Sequence, residues 1–582
     1  MKIRHIANAV ALAALAFTGA ACAAESSTVK LKIVALNDFH GQLESPGSLR
    51  ALPTDPFATI PVGGVDWVAG YITDIKNKNP NTVVVSAGDL IGATPLVSAL
   101  FHDEGTIEAM NRVGLEINAV GNHEFDEGKD ELLRMQNGGC HPTDVNSCQG
   151  AAVGTPVPFE GASFKFLAAN VIDRKSKNSI FAPYTIKEYE GVKVAFIGLT
   201  LKETPTIVTP SGVAGLGFKD EVRTINQLVP QLRDQGVKAI VVLIHQGGVT
   251  PTSQALSTIN NCDGNLDGSP IKTIVNGLSS AVDLVVSGHT HQAYNCLLAT
   301  KKPGHLIPVT SAGSQGRLLT EIDMEIRKIN GSVKSVTANN IAVDRNNAAI
   351  TPNADLQQIV NNYKALVQPI ANRVIGSITA DLTRTPSSAG ENAMGDVIAD
   401  AQLAATKAPK FGGAHVAFMN PGGVRADMTY LSSLAGEGDG NVTFGEAFTV
   451  QPFGNSLVTL SLTGAQIEQL LEQQFVGCPN GQTFNRILLP SAGFNYSWSA
   501  TGADCDKVDP ASIFIDGVAV NAGDTYRVTI NSFLADGGDK FDVLKQGTNR
   551  LGGAQDSDAL EAYFIANSPI AVPTLDRIQL LP

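Results

Sequence analysis

Five short apolar runs, each followed within a few residues by a side chain able to ligate a metal, constrain this chain more than any other feature. The runs are 33–36, 83–85, 118–120, 240–244 and 284–286. Continuous apolar runs of this length predict strands buried on both faces. They lead into Asp38 with His40, then Asp89, Asn122 with His123, His245, and finally His289 with His291. In α/β sheets ligands bind outside the carboxyl ends of the strands, so these five distant segments are predicted to converge on one crevice. Residues two apart on extended backbone point the same way, so Asp38 with His40, and His289 with His291, can each reach into it. A carboxylate such as Asp89 has two oxygens with which to bridge two cations. Taken singly, Asp89 also reads as a helix cap, Asn122 as a turn residue beside Gly121, and His245 as a satisfied strand-end histidine. The joint occurrence in this order favours the metal site.

The rest of the chain supplies the frame. At 582 residues it is long enough for two domains, each burying a full core. Residues 28–345 alternate apolar strands with helical patterns, as an α/β or layered-sheet domain does. Turn-rich segments near Asp344 and Pro352 precede a predicted connecting helix within 346–373, with Leu356, Ile359, Val360, Tyr363 and Leu366 at helical spacing. A second region, 374–582, is predicted to be helical over 392–406, with strands around 416–419, 457–462 and 526–530. No internal repeat and no low-complexity tract interrupts it.

Residues 1–24 read as a signal peptide. Lys2 and Arg4 precede an apolar stretch, and Ala21-Cys22-Ala23 supplies the small-x-small cleavage pattern. The chain is thus expected to be exported, periplasmic or secreted. Lipid anchoring through Cys22 is the weaker reading, because Gly19 stands where a lipoprotein signal carries a larger aliphatic. Six of the seven cysteines follow the leader, an even number that favours disulfides in an exported protein. Near-neighbour pairing gives Cys140 with Cys148, Cys262 with Cys296, and Cys478 with Cys505, among the many connectivities six cysteines admit. No later stretch approaches the ~20 apolar residues of a membrane span. A net charge of −13 without a basic stripe argues against polymeric nucleic acid as a partner, whereas a bound metal can still attract small anions. Asp263 to Gly268 begins like a calcium loop, but Ile274 stands where that loop requires glutamate. His102, His141, His305 and His415 match no motif. The sequence carries no signal of oligomeric state.

The strings Asn37-Asp38-Phe39-His40-Gly41, Gly88-Asp89, Gly121-Asn122-His123-Glu124-Phe125-Asp126, His245 and Ser287-Gly288-His289-Thr290-His291 resemble the calcineurin-like metallophosphoesterases. More closely, the chain resembles the secreted bacterial 5'-nucleotidase and UDP-sugar hydrolase family over nearly its whole mature length. That resemblance implies an α/β (α+β) fold: an N-terminal four-layer metallophosphoesterase sandwich joined by a helix to a C-terminal α/β 5'-nucleotidase domain. It implies that Asp38, His40, Asp89 and His291 hold one divalent ion, and that Asp89, Asn122, His245 and His289 hold another. Mixed nitrogen and oxygen donors suit zinc, manganese or iron. His123 is implied as the group that stabilises the phosphoryl transition state or protonates the leaving oxygen, with Asp126 orienting its ring.

In the second region the resemblance implies a substrate site. Asn420-Pro421-Gly422-Gly423-Val424-Arg425 offers a fixed cation beside flexible backbone, and Phe453 and Phe533 match positions that sandwich a nucleobase. Asp539 is implied to accept from ribose hydroxyls, with Asn420 and Asn455 orienting the nucleoside. Without the family match each phenylalanine reads as core, and Arg425 as an exposed turn residue. One departure concerns Gly390, where relatives carry an arginine; Arg384 is close in sequence but displaced. The implied reaction is hydrolysis of nucleoside 5'-monophosphates, with UDP-sugars or other nucleotides as further substrates, and closure of the domains about the connecting helix. A thiosulfohydrolase of sulfur oxidation shares the architecture, and a non-catalytic exported nucleotide-binding protein is the alternative of a different class. The two aromatics and Gly537-Gly538-Asp539 favour nucleotides over the first, and the intact ligand set disfavours the second.

Overall fold

The computed structural model describes residues 27–208, 212–251, 254–433 and 435–582. The signal-peptide reading over 1–24, Cys22 included, lies outside the described residues.

The five apolar runs divide between two six-stranded sheets. One runs Val333–Ala342, Leu318–Arg327, Thr28–Leu36, Thr82–Ser86, Ile117–Ala119, Lys165–Leu167; the other runs Ala293–Ala299, Leu306–Ala312, Leu284–Ser287, Ala239–His245, Val192–Thr200, Tyr184–Tyr189. Around the predicted runs the pairing is parallel, with Ile33 opposite Val83 in the first sheet and Val241 opposite Leu284 in the second. Side chains alternate across each strand. Ile33, Ala35, Val83 and Val85 pack between the sheets against Val194, Phe196, Val241 and Leu243. Their neighbours Val34, Leu36 and Val84 face helices Val65–Lys78 and Glu104–Val113, whose Val68, Ile72, Ile107 and Met110 cover them. On the other side Ile240, Val242 and Ile244 meet Ile225 and Leu228 of helix Glu221–Asp234 and Ile271 of helix Pro270–Gly277. The result is the four-layer helix–sheet–sheet–helix sandwich expected above. Each Val, Ile or Leu fully buried there contributes ~1.5–3 kcal/mol, which offsets strain in the loops at the strand ends.

Helix Ala354–Ala371 starts at Asn353, whose side chain accepts the Leu356 N–H. It buries Leu356, Ile359, Val360 and Tyr363 against the first sandwich, with the Tyr363 hydroxyl donating to Glu108 at 3.1 Å. Leu366, expected on that face, is exposed, and Val367 takes the position one turn beyond Tyr363. Beyond it, helix Ala393–Thr406, capped by the Asn392 side chain, packs on a five-stranded sheet. That sheet runs Leu489–Pro490, Val416–Met419, Thr525–Asn531, Ser456–Thr463, Thr548–Gln555. Cys140–Cys148, Cys262–Cys296 and Cys478–Cys505 are paired as disulfides. Among the described residues no helix is long and apolar enough to cross a membrane.

Candidate metal centre and substrate cavity

The loops after the parallel strands bring the candidate ligands together in two groups. Ligand atoms of Asp38, His40 and His291 form one, and those of Asp89, His245 and His289 the other, each within 4.8 Å of one another. Asn122 joins the second, its Oδ1 lying 3.1 Å from His245 Nε2. His40 Nε2 lies 3.7 Å from Asp89 Oδ2 and His245 Nε2 lies 3.0 Å from the same oxygen, so Asp89 stands between the groups.

Second contacts aim these donors. His40 Nδ1 and His245 Nδ1 each donate to a backbone carbonyl, of Gly92 and Ala87, at 2.8 Å. That leaves Nε2 of each ring as the atom facing the crevice, the orientation a metal ligand needs. Asp38 is fully buried and accepts from the His289 backbone N–H and from Asn37 Nδ2. Asn37 itself is fixed by the Ala312 N–H and the Gly313 carbonyl. Asp38, His40, Asp89, His289 and His291 all adopt left-handed backbone, with φ between 48° and 77°. For residues other than glycine such conformations cost of order 1–3 kcal/mol each and persist where the surroundings impose them. Gly121 is required by closeness: a Cβ there would lie 2.1 Å from Asp89 Oδ1.

The electrostatics suit a cation. Burial pushes His40 and His289 down to about 3, so both rings are neutral with a free lone pair. His245 is also buried, but Asp89 and Asp38 outweigh burial and raise it to about 10. Asp89 is held well below the usual carboxylate range by His245, His123 and His40, against its own burial. A proton so held between carboxylates and imidazoles is what a divalent ion replaces.

His123 stands beside this centre. Its backbone N–H donates to Asp89 Oδ1 at 3.0 Å and its Nδ1 pairs with Asp126 Oδ2 at 2.8 Å. Burial opposes the charged ring, yet Asp126 and Asp89 raise its pKa. From the second domain Phe453 stacks on the His123 ring, centroids 5.7 Å apart, and carries the Arg425 guanidinium at 5.5 Å.

A cavity of about 390 Å³ opens between the domains. Asn122, His123, Asp126 and His289 line one wall. Asn420, Arg425, Phe453, Asn455, Phe533 and Asp539 line the other, so all six substrate residues expected from the sequence meet here. Asn420 Nδ2 donates to Asp539 Oδ2 at 2.9 Å and Asn531 Nδ2 donates to Asn420 Oδ1 at 2.9 Å. Asn455 Oδ1 accepts from the Ser532 hydroxyl at 3.1 Å. Phe533 lies over Gly538, where a Cβ would sit 2.5 Å from the ring.

Several residues here escaped the sequence reading. Glu124 is buried and accepts the backbone N–H groups of Asp89, Leu90 and Gly121 and the Asn118 amide, at 2.7–3.2 Å. It therefore ties the Asp89 loop to the Asn122 loop. Three of its four partners are main-chain N–H groups, which no residue type announces in the sequence. Asn37, Phe484 and Arg486 were missed likewise. The departure at Gly390 has a physical account: a Cβ there would lie 2.5 Å from Ile487. Arg384 is tied to Asp427 at 3.0 Å and to the Arg425 carbonyl at 2.8 Å.

Residues 31–293 match the family described as calcineurin-like phosphoesterase, and residues 374–546 match 5'-nucleotidase, C-terminal domain. Cell wall protein Lmo0130 of Listeria monocytogenes is 32% identical over 91% of this chain and 66% of its own. Endonuclease YhcR of Bacillus subtilis is 30% identical over 95% of this chain and 41% of its own. The chain thus spans less than two thirds of these two relatives. The crystal structure of a 5'-nucleotidase precursor from Thermus thermophilus superimposes with a TM-score of 0.73 at 24% identity, covering 95% of this chain and 99% of that one.

Proposed function

Since the chain belongs to the calcineurin-like phosphoesterases that carry a 5'-nucleotidase C-terminal domain, we propose that it is an exported, metal-dependent hydrolase of nucleoside 5'-monophosphates. The observation that carries this reading is the shared cavity, with candidate metal ligands and His123 on one wall and an arginine, two phenylalanines and Asp539 on the other. In this reading residues 28–345 carry the metals and 374–582 carry nucleoside recognition. Closure of the domains belongs to this reading, with its hinge at the carboxyl end of helix Ala354–Ala371 near Asn372; the packing of that helix in the first core supports it.

Asp38, His40, Asp89 and His291 would hold one divalent ion, and Asp89, Asn122, His245 and His289 the other. When bound, such a pair supplies an activated water and neutralises charge on phosphoryl oxygens. Zinc, manganese and iron all suit the donors. His123, kept cationic by Asp126, donates its Nε2 proton to the departing O5'. Arg425 binds the phosphate and screens it from Asp126. Phe453 and Phe533 hold the base, a contact tolerant of base identity because every base presents a π face. Asp539, steadied by Asn420, accepts from the ribose hydroxyls.

Although one relative is named an endonuclease, the net charge of −13 and the size of the cavity support small nucleotides as substrates. The test is hydrolysis of AMP, UDP-glucose, a cyclic nucleotide and a peptide bearing a cysteine S-sulfonate by the metal-loaded enzyme. Turnover of AMP at least as fast as of the others is expected. Activity confined to the sulfur substrate would transfer the chain to sulfur oxidation, and no activity on any would leave only binding.

A further inference from the structure

Arg486 lines the same cavity and has no part in the reaction described so far. It enters from the segment between helix Gly464–Glu472 and strand Leu489–Pro490, which the Cys478–Cys505 disulfide anchors. The segment is also pinned from within. Gln482 Nε2 donates to the carbonyls of Gln473 and Asp539 at 3.1 and 2.7 Å, and Asn480 Nδ2 donates to that of Lys540 at 3.0 Å. Arg486 Nη1 in turn donates to Gln482 Oε1. Its guanidinium lies over the Phe484 ring at 3.9 Å, and its side chain is only 14% exposed. This is a cation held in one place by a stapled loop.

What it faces is Asp539, with Nε 3.5 Å from Oδ1, a distance at the edge of hydrogen bonding. Asp539 already has a good donor in Asn420, and among the described residues no acceptor holds Arg486 Nη2. A guanidinium with an unengaged N–H edge, preorganised on an aromatic face at a cavity wall, is built to receive an anion. The scissile phosphate belongs at the opposite wall, beside His289 and His123 and within reach of Arg425 across the cavity, so this anion is a different one.

We propose that Arg486 forms a second anion subsite for a phosphoryl group carried on the ribose, so that nucleotides bearing a ribose phosphate besides the 5' group are substrates. The proposal deepens the reading above and rests on Asp539 as the ribose-facing acceptor. A ribose phosphate brought against Asp539 alone meets a like charge, and Arg486 offsets that repulsion. The 5' reaction is unchanged: water adds to the 5' phosphorus, the P–O5' bond breaks, O5' leaves with a proton, and phosphate and a phosphorylated nucleoside remain. Phe484 is 57% exposed, so its outer face is free to stack on a following base where the ribose phosphate is a diester.

The experiment compares kcat/KM for AMP, adenosine 3',5'-bisphosphate and a 5'-phosphorylated dinucleotide in the metal-loaded wild type, R486Q and R486K. The specificity ratio to AMP within each variant is the readout, so partial loss of folded enzyme cancels. We expect the wild type to release the 5' phosphate of the bisphosphate at a KM no higher than for AMP. R486Q should lower the bisphosphate-to-AMP ratio about tenfold or more, and R486K should restore part of it. A matching loss with the dinucleotide assigns the subsite to a phosphodiester as well; a loss with the bisphosphate alone assigns it to a terminal phosphate. An unchanged ratio in R486Q, or a wild type that hydrolyses AMP but rejects both ribose-phosphorylated substrates, would overturn the subsite. A wild type inactive on AMP would overturn the underlying reading, and the subsite with it.

Discussion

His40 and His291, 251 residues apart in the chain, bring their Nε2 atoms within 3.0 Å of each other. With Nδ1 of His40 committed to the Gly92 carbonyl and the ring kept neutral by burial, its lone pair points at another imidazole nitrogen. Asp38 Oδ1 lies 3.4 Å from His291 Nε2. Atoms with lone pairs gathered this closely can share a proton or a cation, and a divalent ion engages all of them at once; the same holds for Asp89, His245 and Asn122 opposite. Convergence from five strand ends on left-handed loops makes the crevice a place for cations before any substrate arrives.

Glu124 ties the Asp89 loop to the Asn122 loop beneath that crevice. Replacing it with Gln turns one of its two oxygens into a donor, facing either the Asp89 and Gly121 N–H groups or the Leu90 N–H and the Asn118 amide, so the anchor between the Asp89 and Asn122 loops is weakened. E124Q is expected to lower metal affinity or activity ~10- to 100-fold, as losses behind metal ligands do. Titration of the apoprotein with Mn²⁺, followed by activity, checks it; wild-type affinity and turnover together would contradict the role.

His123 belongs to neither group of candidate ligands: its backbone N–H donates to Asp89, and its ring meets that of His40 edge-on, centroids 5.2 Å apart. The His123→Ala enzyme should therefore keep its metal while turnover falls ~10²- to 10⁴-fold. Elemental analysis beside steady-state kinetics separates the two, and equal loss of metal and activity would count against the assignment.

Phe533 is held over Gly538 on the cavity wall opposite the candidate metal ligands Asn122 and His289. For Phe533→Ala we expect KM for AMP to rise by the equivalent of ~1–3 kcal/mol while hydrolysis of p-nitrophenyl phosphate persists. Parallel loss with both substrates would show that the ring supports the fold instead.

His102 bridges Glu127 at 2.6 Å and Asp144 at 3.0 Å, and Glu127, against partial burial, helps raise it to about 9. Its folded pKa lies above the unfolded value near 6.5, so its contribution is complete below about 6.5 and is lost as pH rises through 9. With Glu127 half exposed, screening limits the contribution to ~1 kcal/mol or less. Denaturant unfolding of wild type and H102N should differ by that amount at pH 6 and converge by pH 10. A difference independent of pH would refute the ion-pair account.

Much of this was legible because chemistry and patterning coincide. A run such as 240–244 is apolar at every position, so a buried strand follows directly. The same uniformity hides which side faces which layer, since Ile33 and Val34 look alike and only packing sends one between the sheets and the other to the helices. The candidate ligands are recognisable by residue type, whereas their left-handed backbone is not, because a histidine carries no sequence mark of positive φ. Leu366 was placed one residue out of phase with Val367, both apolar and adjacent on the helix. Glu124 and Arg486 carry little mark in the sequence for different reasons: three of the partners of Glu124 are backbone N–H groups, and Arg486 reaches Asp539 only through the fold.

The most direct measurement is the metal content of the wild type and of Asp89→Asn, made alongside AMP hydrolysis. Because Asp89 stands between both groups of donors, the wild type should carry two divalent ions per chain. The variant should fall below one and lose AMP hydrolysis by orders of magnitude. A variant that keeps both ions, or a fully active wild type with a single ion, would contradict the shared centre.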